Sequence, residues 1–203
     1  MRKCRRIDFA RLLCVAVAVL TKWLSANELL ADPGYTANAG KISFSVDSNI
    51  AFLKVAGSSS AIKGGGEATV DGNTVTVHNL HFEVDPKTFK TGISLRDQHL
   101  YERVFTASDG STPAIVLRAE RFQATSNGNA SMWEGSLHAQ LTMRGVTKPV
   151  VFRASLEKKG DGAVVAAEGT VKTSNFGVKP ITYSGATVED EVAVTVSNLR
   201  VKP

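Results

Sequence analysis

The segment Leu137-His138-Ala139-Gln140-Leu141-Thr142-Met143-Arg144-Gly145-Val146-Thr147-Lys148-Pro149-Val150-Val151-Phe152-Arg153-Ala154-Ser155-Leu156 decides the fold class. Leu137, Ala139, Leu141 and Met143 alternate with His138, Gln140 and Thr142. Arg144-Gly145 is a turn signal. Val150, Phe152, Ala154 and Leu156 then alternate with Val151, Arg153 and Ser155. A period of two puts successive side chains on opposite faces, so each arm is a strand with one dry and one wet face. Two such arms joined by a short turn make an antiparallel hairpin.

The same pattern recurs outward in both directions. Upstream, Ile42, Phe44 and Val46 alternate with Ser43 and Ser45, and Asp47-Ser48-Asn49 is a turn. Ile50 to Val55 is expected as a second strand, fading into Gly57-Ser58-Ser59-Ser60. Gly64-Gly65-Gly66 allows a bend or bulge. Asp71-Gly72-Asn73 signals a hairpin. Val75 and Val77 share one parity, whereas Leu80, Phe82 and Val84 share the other. One inserted residue near His78-Asn79 reconciles them, which predicts a β-bulge there. Strands resume over 114–124, turn at Asn127-Gly128, and after Gly160-Asp161-Gly162 continue over 164–174 and 192–201. Only residues 94–105 read as helix. Ser94 and Asp97 fit a capping box, and Leu100 and Val104 recur at helical spacing. The sum is an all-β chain of about eight antiparallel strands with one short helix, an extended sandwich or barrel. An eight-stranded barrel has an interior just wide enough for packed side chains or one small ligand.

The chain has 203 residues, which suits one domain with a sizeable core. Its net charge of +5 sits in the leader: residues 1–31 hold six of the 24 basic and two of the 19 acidic residues. The remainder is nearly neutral and offers no phosphate-binding surface, so nucleic acid is excluded as a partner. Both cysteines, Cys4 and Cys14, lie in the leader, leaving no disulfide, thiolate nucleophile or Cys-ligated zinc beyond it.

That leader joins a basic stretch (Arg2, Lys3, Arg5, Arg6, Arg11) to the nine-residue apolar run Leu12–Leu20. A spanning helix needs about 20 apolar residues. The expectation is therefore a signal peptide over 1–31, with cleavage after Ala26 or Ala31, and no stable membrane anchor. Arg11 is out of place in a lipoprotein site at Cys14; the surroundings of Arg5-Arg6 fit a twin-arginine signal poorly, and ordinary and twin-arginine export both stay open. Residues 32–40 (DPGYTANAG) read as a flexible lead-in, and 41–203 as the barrel.

Chemistry-bearing motifs are sparse. His78 and His81 would lie on opposite faces of a regular strand, and His138 is on a wet face, so no metal site is expected. Ser60-x-x-Lys63 with Lys90-Thr91-Gly92 imitates part of a penicillin-recognising set whose third motif is missing. The cluster Glu189-Asp190-Glu191 reads as a solvated turn rather than a cation site. Asp97 is expected to cap the helix, with Arg96 on the surface. Asn129-Ala130-Ser131 is a formal glycosylation sequon. What remains is a dry interior, for which Phe44, Leu53, Val77, Leu80, Phe82, Leu117, Phe122, Leu141, Phe152 and Val194 are the candidate wall, with small Ala139 and Ala154 leaving room.

Four motifs then occur in a telling order. They are Thr91-Gly92-Ile93-Ser94-Leu95-Arg96-Asp97-Gln98-His99-Leu100, Leu141-Thr142-Met143-Arg144-Gly145-Val146-Thr147-Lys148-Pro149-Val150, Ser174-Asn175-Phe176-Gly177-Val178 and Val188-Glu189-Asp190-Glu191-Val192. Together they resemble the YceI-like polyisoprenoid-binding family over roughly residues 41–201, with Asn175 where the family has Asp. The resemblance implies a lipocalin-like barrel exported to the bacterial periplasm (or secreted). It implies an apolar tunnel for a long isoprenoid lipid, such as a polyprenyl or quinone tail. It implies no catalytic residue, metal or cofactor; monomer and homodimer both stay open. Two other readings also stay open. One is a packed barrel acting as an interaction or stress-response protein. The other is an enzyme on a lipid-like substrate using Arg96, Asp97 and His99.

Overall fold

A computed structural model describes residues 34–126, 128, 131–183 and 185–203. The expected signal peptide, its cleavage sites, Asn127 and most of the sequon lie outside these residues. The strands are β1 (Gly34–Val46), β2 (Val55–Ser59), β3 (Ile62–Asp71), β4 (Thr74–Val84), β5 (Ile115–Thr125), β6 (Met132–Met143), β7 (Val146–Lys159), β8 (Gly162–Lys172) and β11 (Glu191–Lys202). A two-residue hairpin, β9 (Thr182–Tyr183) and β10 (Ala186–Thr187), stands apart. Helix α1 (Ser94–His99) continues as a π-helical turn over Leu100–Phe105.

Every neighbouring pair in the main sheet is antiparallel, and β11 pairs back onto β1, so the sheet closes. β2 and β3 act as one strand broken at Ser60-Ala61. β1 meets β3 through Gly34–Thr36 and β2 through Ile42–Val46. Counted so, the barrel has eight strands. Closure leaves no unpaired sheet edge. One rim carries the β3–β4, β5–β6 and β7–β8 turns. The opposite rim carries α1, the β1–β2 loop, the β6–β7 turn and the segment between β8 and β11. We refer to these as the turn rim and the helix rim.

The hairpin that opened the reading is present, with Met143 opposite Val146 and both turn residues, Arg144 and Gly145, at positive φ. That is the two-residue turn whose twist matches its flanking strands. The bulge near His78-Asn79 is present too. Gly65 pairs with His81 and Glu67 with His78, which leaves one extra residue on β4. Asn79 takes φ 52°, and its amide donates to Glu67 Oε2 at 3.2 Å. A second bulge, not expected from the sequence, lies in β11, where Val196 pairs with Ala167 but Leu199 with Val165. Asn198 there also has φ 52°. In both strands the bulge switches parity and keeps apolar side chains inside: Leu80 after Val77, Leu199 after Val196.

Three local expectations are corrected. The second strand covers 55–59, not 50–55. Residues 47–54 form a loop, because β1 register sets Val46 opposite Val55. Ser59 is buried and its hydroxyl is 2.6 Å from that of Thr88, which ties β2 to the segment after β4. Strand β1 starts at Gly34, so 34–40 is paired strand rather than a loose lead-in. The capping box is not formed. α1 begins after Ile93 without a side-chain cap, and Asp97 turns upstream to Thr91 instead.

The glycine run is explained by barrel closure. A β-carbon on Gly65 would collide with the carbonyl oxygen of Tyr35, and one on Gly64 with that of His81. Only glycine lets β1, β3 and β4 approach this closely. Under the helix rim, the Phe89 ring lies between Phe44 (5.9 Å) and Phe105 (5.6 Å), and Phe176 is almost fully buried beside them in the same core.

Candidate functional site: an apolar cavity along the barrel

The inner faces of the strands do not fill the barrel. A cavity of about 1170 Å³ lies between them. Its wall runs from Val70, Trp133 and Ala163 at the turn rim to Ile50, Ile93 and Ile181 at the helix rim. Ligand pockets commonly measure about 300–1,000 Å³, so this one is large for a small barrel. The ten residues expected as its wall all line it: Phe44, Leu53, Val77, Leu80, Phe82, Leu117, Phe122, Leu141, Phe152 and Val194. Nine come from strands, their direction set by alternation, by the β4 bulge and by a register shift in β5 between Arg118 and Thr125, which lets Leu117 and Phe122 both face inward despite their opposite parity. Leu53 belongs to the β1–β2 loop and stands half exposed at the mouth. Of the two small residues, Ala154 lines the cavity, while Ala139 is buried in the core.

Sequence alternation did not nominate the helix-rim wall. Ile50, Ile93, Leu95, Leu100, Val104 and Val188 come from loops and the helix, where period-two reasoning is silent. The helical spacing of Leu100 and Val104 was read, and both residues, in the π-helical turn after α1, do face the cavity.

Polar groups frame this end without meeting in a reactive arrangement. Asp97 is buried, and its Oδ1 accepts the Thr91 backbone N–H at 2.7 Å and the Thr91 hydroxyl at 2.5 Å. Those bonds hold its carboxyl below the usual carboxylate range, aided by the Lys90 and Arg96 charges. Arg96 is half-buried, not on the surface. It lines the cavity and donates to the Thr91 carbonyl at 2.6 Å. Lys90 Nζ donates to the Tyr101 hydroxyl at 2.9 Å, which raises its pKa, and sits 4.0 Å from Asp97. Thr91 is therefore clasped from both sides, and the loop before α1 is tied to the helix across the mouth.

The remaining candidates resolve simply. Asp190 accepts from the Thr173 hydroxyl (2.9 Å) and from the Ser174 N–H (2.7 Å) and hydroxyl (2.6 Å), which lowers its pKa. It secures the turn Thr173–Phe176 against the start of β11. Glu191 pairs with Lys172 at 3.1 Å. His81 Nδ1 accepts from Arg118 at 3.1 Å. Among the described residues, no group of three or more His, Cys, Asp or Glu could hold a metal ion. No described helix is long and apolar enough to cross a membrane.

Fold and site together define a closed antiparallel barrel with an apolar interior cavity and a helix tied across one rim. The family model described as the YceI-like domain matches residues 35–198, and the chain belongs to that family. UPF0312 proteins of Pseudomonas paraeruginosa and Pseudomonas aeruginosa are 28% identical over 141 residues, covering 66% of this chain and 70% of theirs. The structure of a polyisoprenoid binding domain from Saccharophagus degradans, implicated in plant cell wall breakdown, matches at TM-score 0.57. It is 11% identical, over 83% of this chain and 98% of that one. Burkholderia cenocepacia BcnA matches at TM-score 0.54 and 13% identity, over 80% and 96% of the two chains. At these identities the structural matches establish the fold.

Proposed function

We propose that this protein is a periplasmic binding or carrier protein that holds a long isoprenoid lipid, a polyprenyl or quinone tail, inside its barrel. The observation that carries the reading is the apolar cavity running between the two rims. An isoprenoid chain has almost no hydrogen-bonding groups, and burying it gains about 25 cal/mol per Å² of apolar surface. The cavity wall suits such a chain because it is built mainly from aliphatic and aromatic side chains. The barrel's own backbone polar groups are spent in the closed ladder, so the interior makes few polar demands. Family membership and the fold shared with a named polyisoprenoid binding domain support the same ligand class. The basic, apolar leader supports export. A packed barrel acting only through its surface would have no need of such a volume. The protein acts by sequestration, with no chemical step.

The test is native mass spectrometry of protein purified from the periplasm without detergent, followed by organic extraction. The expected result is a mass excess that extracts as an isoprenoid. Protein that carries no lipid and binds neither added quinones nor polyprenols would overturn the reading.

A further inference from the structure

The helix rim exposes apolar side chains that also belong to the cavity. Ile50, Leu53, Ile93 and Leu95 are 45%, 44%, 54% and 51% exposed, and all four line the cavity mouth. Apolar surface thus continues from the interior to the outside at this rim. At the tip of the same β1–β2 loop stands Phe52, fully exposed, with φ 65°. Two costs coincide there. The left-handed region disfavours any residue with a β-carbon apart from Asn and Asp. An exposed ring also forgoes all hydrophobic gain. The Leu53 N–H donates to the Ile50 carbonyl at 3.1 Å and closes the turn around Phe52, but among the described residues nothing buries the ring.

The loop is nevertheless firmly built. The Ser48 hydroxyl accepts the Ile50 N–H at 3.2 Å and donates to the Leu53 carbonyl at 2.9 Å. Asn49 N–H donates to the Thr187 carbonyl at 3.0 Å, and Thr187 N–H returns to Asn49 Oδ1 at 2.7 Å. The β9–β10 hairpin therefore holds the tip outward. Charges beside it are balanced: Lys54 lies 3.5 Å from Asp47, and Lys179 and Glu189 both border the mouth.

We propose that this rim docks on a lipid bilayer, with Phe52 inserted among the acyl chains and the cavity mouth opened onto hydrocarbon. The inference rests on the isoprenoid reading, because such a ligand resides in bilayers and these side chains ring one passage into its cavity. A protein seated on the rim would cover that passage, whereas a bilayer supplies it. The balanced charge points to insertion into a neutral surface rather than attraction to an anionic one.

The experiment compares the full chain with its Phe52→Asn variant by co-sedimentation with phosphatidylcholine vesicles free of isoprenoid. Asn tolerates the left-handed backbone, so the variant should melt at or above the parent temperature. Its vesicle partitioning should fall about tenfold, the loss expected for removing one buried ring. Binding of farnesol, a short isoprenoid alcohol, measured without vesicles, should be unchanged. The leader is common to both chains, so the difference reports Phe52. A Phe52→Trp variant should gain blue-shifted emission with vesicles and quenching by brominated lipid. Equal sedimentation of parent and Phe52→Asn, no spectral response of Phe52→Trp, or a Phe52-dependent dimer without vesicle partitioning would each overturn the proposal. Failure of both chains to bind farnesol, with vesicle binding intact, would count against the ligand reading and leave the docking result standing.

Discussion

Replacing Asp97 by Ala tests how the mouth of the cavity is held. Its Oδ1 receives two hydrogen bonds, from the backbone N–H and the hydroxyl of Thr91. Hydrogen bonds to a charged group contribute about 1.5–3 kcal/mol each, and a buried donor left unpaired costs about 1–3 kcal/mol. Since the two bonds share one oxygen and one partner residue, they do not add fully, and the expected loss is about 3 kcal/mol. For a domain of this size each kcal/mol shifts Tm by about 2–4 °C, so Asp97→Ala should melt about 9 °C lower at pH 7. The sign with pH follows from the lowered carboxyl pKa, whose first cause is the Thr91 hydroxyl bond. Stability from this group is complete above the ordinary carboxylate pKa of about 4 and is lost as pH falls through the lower folded value. The gap between the parent and an Asp97→Asn variant should therefore narrow toward about pH 3. Differential scanning calorimetry and urea titrations between pH 7 and 3 measure both effects. An Asp97→Ala variant melting within about 2 °C of the parent at pH 7 would refute the assignment of Asp97 as the pin. So would an Asp97→Asn gap that is unchanged by acid.

Three further outcomes are expected. Val194→Trp, which enlarges a cavity-lining side chain without burying charge, should weaken isoprenoid binding by about tenfold or more in a lipid-loading titration, with the far-ultraviolet circular dichroism of the barrel retained. Asp190→Asn should flatten the acid limb of the stability curve, because the parent loses the Thr173 and Ser174 bonds as pH falls through the lowered Asp190 pKa. Gly65→Ala drives a β-carbon into the Tyr35 carbonyl and should cost about 3 kcal/mol in urea unfolding; a neutral effect would mean that β1 and β3 are not packed as described.

Much of the barrel was legible because strand direction is local. In β6 and β7 each residue's face follows from its neighbours alone, and Leu141, Phe152 and Ala154 reach the cavity as alternation requires. The parity break between Val77 and Leu80 revealed the β4 bulge before any partner strand was known. An equal break between Val196 and Leu199 was equally readable, although the strand expected over 192–201 was read without a bulge. Where contacts are distant, the reading failed. Ile50 to Val55 has the composition of a strand, yet Asn49 bonds to Thr187, far along the chain, and the segment becomes a loop. Asp97 has the spacing of a cap, yet its acceptor is filled by Thr91 before the helix begins. Polar side chains take whichever donor the fold brings nearest, and spacing within a helix does not record that competition.

The sequence by itself determined which side chains of most strands face inward, where most hairpins turn, and that those inward faces are apolar. These follow from the period of two and from backbone preferences at Gly and Asn, properties of a few adjacent residues. Only the tertiary structure decided that β11 returns to β1, that the interior is hollow, and that apolar side chains from two distant segments ring one rim. An internal volume is the difference between the enclosed space and the side chains pointing into it. The enclosed space depends on strand number, tilt and stagger of all strands at once, so no single stretch of sequence contains it.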